Sequence, residues 1–212
     1  GALVFNVQYD DADYFSDGMA CVKKKDKYGY IDSTGKLIIY CFFDEAKSFD
    51  PVTHRALVQR NGKWGWINHY GDYVIPCRYE DAFPYINGLA MVRLNGKYGY
   101  LNMSGEFVVP CRFDNISQFG DEGLALAQQG TMWGFVDTLG NIPIGCNYEN
   151  AMPFCDGFAA VKINNQWGFI NSKGALVIPA QYSYVESFYK GKAFVEKDDA
   201  FFYIDTQGNI VR

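Results

Sequence analysis

The sequence predicts an all-β fold made of six tandem copies of one unit of about 35 residues, and three observations predict it. An aromatic, a Gly and a second aromatic recur with Ile, Leu or Val just after. Each is followed at fixed distance by Asp or Asn and, three residues on, by Gly. Short apolar runs alternate with Asn-Gly and Ser-Gly signals, the pattern of antiparallel strands joined by tight turns.

The first element appears as Tyr28-Gly29-Tyr30-Ile31, Trp64-Gly65-Trp66-Ile67, Tyr98-Gly99-Tyr100-Leu101, Trp133-Gly134-Phe135-Val136, Trp167-Gly168-Phe169-Ile170 and, altered, Phe201-Phe202-Tyr203-Ile204. The second is Asp32 with Gly35, Asn68 with Gly71, Asn102 with Gly105, Asp137 with Gly140, Asn171 with Gly174 and Asp205 with Gly208. Those glycines lie 36, 34, 35, 34 and 34 residues apart. Upstream of the aromatic pair stands Gly-x-Ala, as at Gly18 and Ala20 or Gly157 and Ala159, and downstream an apolar run often ends in Pro, as at Pro76, Pro110 and Pro179. Ala2-Leu3-Val4 followed by Gln8-Tyr9 matches Ala175-Leu176-Val177 followed by Gln181-Tyr182, so the first eight residues read as part of a preceding unit.

The third copy sets the elements in order: Leu89 to Leu94, a turn at Asn95-Gly96, Tyr98 to Asn102, a turn at 103–105, Phe107 to Pro110, a connector, then Ile116 to Phe119. This is a meander of three or four short antiparallel strands with no helix. The Asp or Asn before each x-x-Gly suits a tight turn, its side chain accepting backbone N–H bonds while Gly supplies a positive φ. A calcium ladder is the alternative, disfavoured because Asn is as common there as Asp and hard cations want several convergent oxygens. Period-two alternation puts Tyr98 and Tyr100 on one face of the central strand and Gly99 and Leu101 on the other, both expected to be buried. The strand glycine marks a close approach, here expected from an aromatic of the adjacent repeat.

The Lys-Trp-Gly-Trp-Ile and Lys-Tyr-Gly-Tyr elements, the Gly-Lys-x-x-Ile-Pro-like runs and the Tyr-Asp-x-Ala-like connectors resemble the bacterial WG-repeat (KWG-type) family over essentially the whole chain. The resemblance implies β-rich repeats and supplies no catalytic residues. Two departures stand out. Phe202 occupies the place of the motif Gly in the sixth copy, and in the second copy Gly-x-Ala becomes His54-Arg55-Ala56.

The expected architecture is one array over residues 1–212, with units near 9–42, 43–78, 79–112, 113–147, 148–181 and 182–212 after the partial unit 1–8. An open β-solenoid or superhelix is favoured because the altered last motif suits a terminal repeat; a six-bladed β-propeller is the alternative, since the chain begins and ends in the same strand of the repeat.

A net charge of −5 gives no long-range attraction to phosphate backbones or anionic lipid, which argues against nucleic acid. The one dense basic run, Lys23 to Lys25 with Lys27, falls at a predicted hairpin loop and reads as a solvated tip. No apolar stretch approaches the ~18 residues of a membrane span, and no signal-peptide pattern opens the chain, although a cleaved signal would leave no trace. Among six cysteines, Cys41, Cys77, Cys111 and Cys146 share one repeat position, filled by Val7 and Ala180 elsewhere, the substitution pattern of a small buried apolar residue. Neighbouring sheets ~10 Å apart hold such residues too distant to bridge, so free thiols are expected, which leans toward a reducing, cytoplasmic compartment.

No metal, nucleophile-elbow or P-loop motif occurs, and one connector acid per repeat (Asp10, Asp44, Glu80, Asp114, Glu149) speaks for a structural role. No catalytic residue, metal or cofactor is expected. The expected function is a non-enzymatic scaffold binding a protein partner through its repeat surface; the alternative is a carbohydrate-binding module presenting rows of Tyr and Trp to a polysaccharide. The candidate partner-binding residues are His54, Arg55, His69 and Tyr70, where the second repeat breaks the pattern in two turns at one edge.

Overall fold

The computed structural model describes residues 8–211. They form six four-stranded antiparallel sheets and no helix: β1 to β4 span Asp11–Ala12, Met19–Lys24, Lys27–Asp32 and Leu37–Phe43. The second sheet is β5 to β8, at Glu45–Ala46, Ala56–Arg60, Lys63–Ile67 and Tyr73–Tyr79. The third is β9 to β12, at Asp81–Ala82, Ala90–Leu94, Lys97–Leu101 and Phe107–Phe113. The fourth, β13 to β16, runs over Asn115–Ile116, Leu124–Gln129, Met132–Asp137 and Ile144–Tyr148. The fifth, β17 to β20, covers Asn150–Ala151, Phe158–Ile163, Gln166–Asn171 and Leu176–Tyr182. The sixth, β21 to β24, covers Tyr184–Val185, Lys192–Lys197, Ala200–Asp205 and Ile210–Val211. Strand order within every sheet follows chain order.

Two compact units divide the chain within the third sheet, one holding residues up to Gly96 with Tyr100–Phe107, the other Lys97–Gly99 with residues from Val108 onward.

The turns account for the sheets. At the hairpin between second and third strands, Lys25-Asp26, Asn61-Gly62 and Asn95-Gly96 have positive φ at both positions, the type I′ turn whose twist matches paired strands. At the next turn Asp32 accepts from the Thr34 and Lys36 backbone N–H groups at 2.9 and 3.0 Å, and Asn68, Asn102, Asp137, Asn171 and Asp205 repeat that pattern. The expected turn role is what these side chains perform.

The core lies between consecutive sheets. In the first unit Cys21, Tyr30, Ile39 and Phe43 meet Ala46, Phe49, Ala56, Val58 and Ile67; in the second, Phe135 and Ile144 meet Ala159, Val161 and Ile170. The Ala of Gly-x-Ala is thus the small residue that leaves room for the previous sheet's ring.

The motif glycine has a different partner from the one expected. A Cβ on Gly29 would lie 2.4 Å from the Ile39 oxygen and 2.8 Å from the Cys41 nitrogen; Gly65, Gly99 and Gly168 meet the equivalent atoms, and Gly134 meets the Gly145 oxygen and the Cys146 nitrogen at 2.6 Å. The close neighbour is therefore the fourth strand of the glycine's own sheet, which bulges where five residues (39 to 43) lie opposite three (28 to 30). Phe202, which stands at the motif-glycine position of the sixth sheet, is partly buried against the core that Phe169 and Ile178 share with Val195 and Ile204.

Candidate functional site

Each repeat has two edges, and their chemistry differs. At the hairpin edge the connector acids act as ties. Asp44 accepts from Lys27 of the first sheet at 2.5 Å and from the Gly62 N–H of the second at 3.1 Å. Glu80 pairs with Lys63 at 4.0 Å and accepts from the Gly96 N–H at 2.9 Å, while Asp114 takes Lys97 and the Gly130 N–H. Asp10 and Glu149 accept from the backbone N–H groups of Lys25 and Asn165. The Lys preceding the aromatic-Gly-aromatic element thereby gains a physical reason. Lys27 beside Asp44, and Lys97 beside Asp114, with the turn N–H groups, hold these carboxyls below the ordinary carboxylate range.

At the opposite edge lie the turn before each second strand and the turn after each third. Here Glu122 accepts from the Gly157 N–H at 3.0 Å and Asp156 from the Gly191 N–H at 2.9 Å, an acid of one repeat holding the turn of the next. The second repeat's loop is longer, closed by Asp50, which caps the Val52 and Thr53 N–H groups at 2.9 and 2.7 Å. His54, at φ 54°, replaces the backbone donor: its Nδ1 stands 2.8 Å from Asp17 Oδ2. His69 Nε2 lies 2.9 Å from the same oxygen and 3.0 Å from the Asp17 carbonyl, its ring stacked 4.4 Å from Phe49. Both histidines of the chain thus converge on one carboxylate.

Arg55 turns the other way, donating to the Met103 carbonyl and lying over the Tyr85 ring at 5.8 Å. Tyr70 is 84% exposed. Of the four residues singled out in the sequence, two meet, one reaches the third sheet, and one faces solvent. Asp17 was missed; its signal was the acid just before the turn Gly, shared with Glu122 and Asp156. Also missed were the exposed apolar side chains of the segments before the second strands, with Tyr14 95% exposed, Val52 85%, and Phe15 and Ile86 about half.

The depression beside Arg55, between Asp50, Leu57, Trp66 and Tyr85, has a volume of about 30 Å³, far below the ~300–1,000 Å³ usual for small-molecule sites. Among the described residues no cluster of three or more His, Cys, Asp or Glu is arranged to hold a metal, and no helix is long and apolar enough to cross a membrane.

Residues 1–28, 28–64, 64–98, 98–130, 133–167 and 167–199 each match the family described as WG containing repeat. The chain belongs to the WG-repeat family. Curated proteins offer no match to this WG-repeat sequence. Solved structures similar to it include a eukaryotic initiation factor (9% identity, TM-score 0.47, 96% of this chain and 64% of that one). Hsv2p of Kluyveromyces lactis is similar at 10% identity and TM-score 0.43, over 92% of this chain and 73% of that one. PorZ, a surface component of the type-IX secretion system of Porphyromonas gingivalis, is similar at 6% identity and TM-score 0.40, over 96% and 32%. The WG-repeat chain therefore spans less than two thirds of the initiation factor and about a third of PorZ.

Proposed function

We propose that this WG-repeat chain is a non-enzymatic recognition scaffold that binds a protein partner through the turn edge of its first repeats. The observation that supports this is the contrast between edges. The hairpin tips present Lys25-Asp26, Asn61-Gly62 and Asn95-Gly96, all polar, whereas the turn edge presents Tyr14, Phe15, Val52, Tyr70 and Ile86 to water. Exposed aromatic and aliphatic side chains on a rigid backbone are the material of protein interfaces. The Asp17, His54 and His69 cluster fixes the loops that carry them, so the surface is preorganised.

A bait carrying Tyr14→Ser, Val52→Ser and Tyr70→Ser should lose proteins that the unaltered chain retains from lysate or envelope fractions of the source organism. Identical retained sets would overturn the assignment to this edge. A polysaccharide partner is the second reading, favoured by one observation: the first ring of the first five motifs, at Tyr28, Trp64, Tyr98, Trp133 and Trp167, is half-buried rather than enclosed. A tryptophan fluorescence response to polysaccharide would speak for it.

A further inference from the structure

The fourth strand is the outer edge of every sheet, and its chemistry is not uniform. At its central position β8, β12 and β20 carry Pro76, Pro110 and Pro179, and β16 carries Gly145. Two residues on, the same strands carry Arg78, Arg112, Asn147 and Gln181. Pro without an N–H and long polar side chains are the devices that keep a sheet edge from pairing with another chain. The first sheet has neither. Its β4 reads Leu-Ile-Ile-Tyr-Cys-Phe-Phe, with Tyr40 at the Pro position, 74% exposed, and Phe42 at the Arg position, 38% exposed. Because Pro fills this position in three other sheets, the fold makes no use of an N–H there, and that of Tyr40 is available to a partner strand.

We propose that β4 is a self-association edge that pairs antiparallel with β4 of a second copy of this chain. The sequence is self-complementary about Tyr40. With Tyr40 opposite Tyr40, Ile38 falls opposite Phe42 of the second copy, an apolar-aromatic cross-strand pair made twice by symmetry. Lys36, exposed, falls opposite Asp44 of the second copy, a carboxylate already answered by Lys27 and the Gly62 N–H of its own chain, so the ends of the paired segment bring no like charges together. Outside the paired strands, Arg60 lies over the Phe42 ring at 5.0 Å and holds it at the edge. The bulge within β4, between Ile39 and Phe43, limits pairing to these few residues. The contact is therefore at the small end of protein interfaces, below ~1,200 Å² in total, and the dimer dissociates on dilution.

Sedimentation velocity on the 212-residue chain, from about 10 μM to about 1 mM, tests this. The expected result is a rise in mass from monomer toward dimer. Tyr40→Pro installs what the second, third and fifth sheets already contain, so it leaves the fold intact by circular dichroism and raises the dissociation constant by at least about tenfold. Phe42→Arg, copying Arg78 and Arg112, does the same by a change confined to the side chain. A chain that is monomeric throughout, or a dimer that neither substitution weakens, overturns the proposal.

Discussion

At the scale of single residues, the motif glycine shows how a backbone contact dictates a sequence. Any side chain at Gly65 puts a Cβ 2.5 Å from the Ile75 oxygen and 2.7 Å from the Cys77 nitrogen, both backbone atoms that cannot rotate away. Gly65→Ala should therefore cost on the order of 3 kcal/mol, seen as a lowered midpoint in urea. Gly62→Ala, in a hairpin tip with φ 69° but nothing within 4 Å of the added Cβ, should cost only about 1 kcal/mol. Equal costs would mean that the bulge over Gly65 relaxes freely. The sequence made it legible that a side chain is excluded at this position. It hid what excludes it, because the partner stands some ten residues further on and approaches only through the bulge.

At the scale of elements, strands and turns were legible because they are set locally, by alternation, by Asn-Gly at the hairpin and by Asx side chains bonding their own turns. The ties between elements were not, since Asp44 answers a lysine 17 residues before it and an amide 18 residues after it. Those ties have a consequence in acid. The carboxyls of Asp44 and Asp114 sit below their ordinary value in the folded chain, so the unfolded chain binds protons more readily. Their contribution is present above the ordinary carboxylate range and is lost as pH falls through it toward the depressed folded values. Asn in place of both keeps an acceptor for the turn N–H and removes the charge that answers lysine. The melting temperature of Asp44→Asn/Asp114→Asn should fall less than that of the unaltered chain between about pH 5 and about pH 3. Parallel curves would show that the lysine pairs contribute nothing to stability, as many exposed pairs do.

At the scale of the whole molecule, the same core is built again where the first sheet meets the second, the fourth the fifth and the fifth the sixth, and its residues come from consecutive repeats. Phe135 and Ile144 of the fourth sheet close over Ala159, Val161 and Ile170 of the fifth, just as Tyr30 and Ile39 of the first close over Ala56, Val58 and Ile67 of the second. Stability in such a chain is a sum of local terms and neighbour terms, so damage at one junction should stay near it. The thiols report on this. Cys41 and Cys146 are half-buried thiols at equivalent positions, each with its Sγ against a carbonyl of the second strand, Val22 at 3.9 Å and Ala127 at 3.7 Å. Burial pushes both thiols above their ordinary pKa, so labelling at pH 8 waits on local opening. Cys21, pushed up to about 12 by burial and the nearby Asp13 charge, should be slower still, and exposed Cys155 the fastest. Val161→Ala removes two methyl groups from the junction of the fourth and fifth sheets, at a cost of about 2 kcal/mol. Mass-spectrometric mapping should then find Cys146 labelled several-fold faster while Cys41, in the first sheet, keeps its rate. Equal acceleration of both would mean that the chain opens only as one cooperative body, and that its repeats are units of sequence without being units of stability.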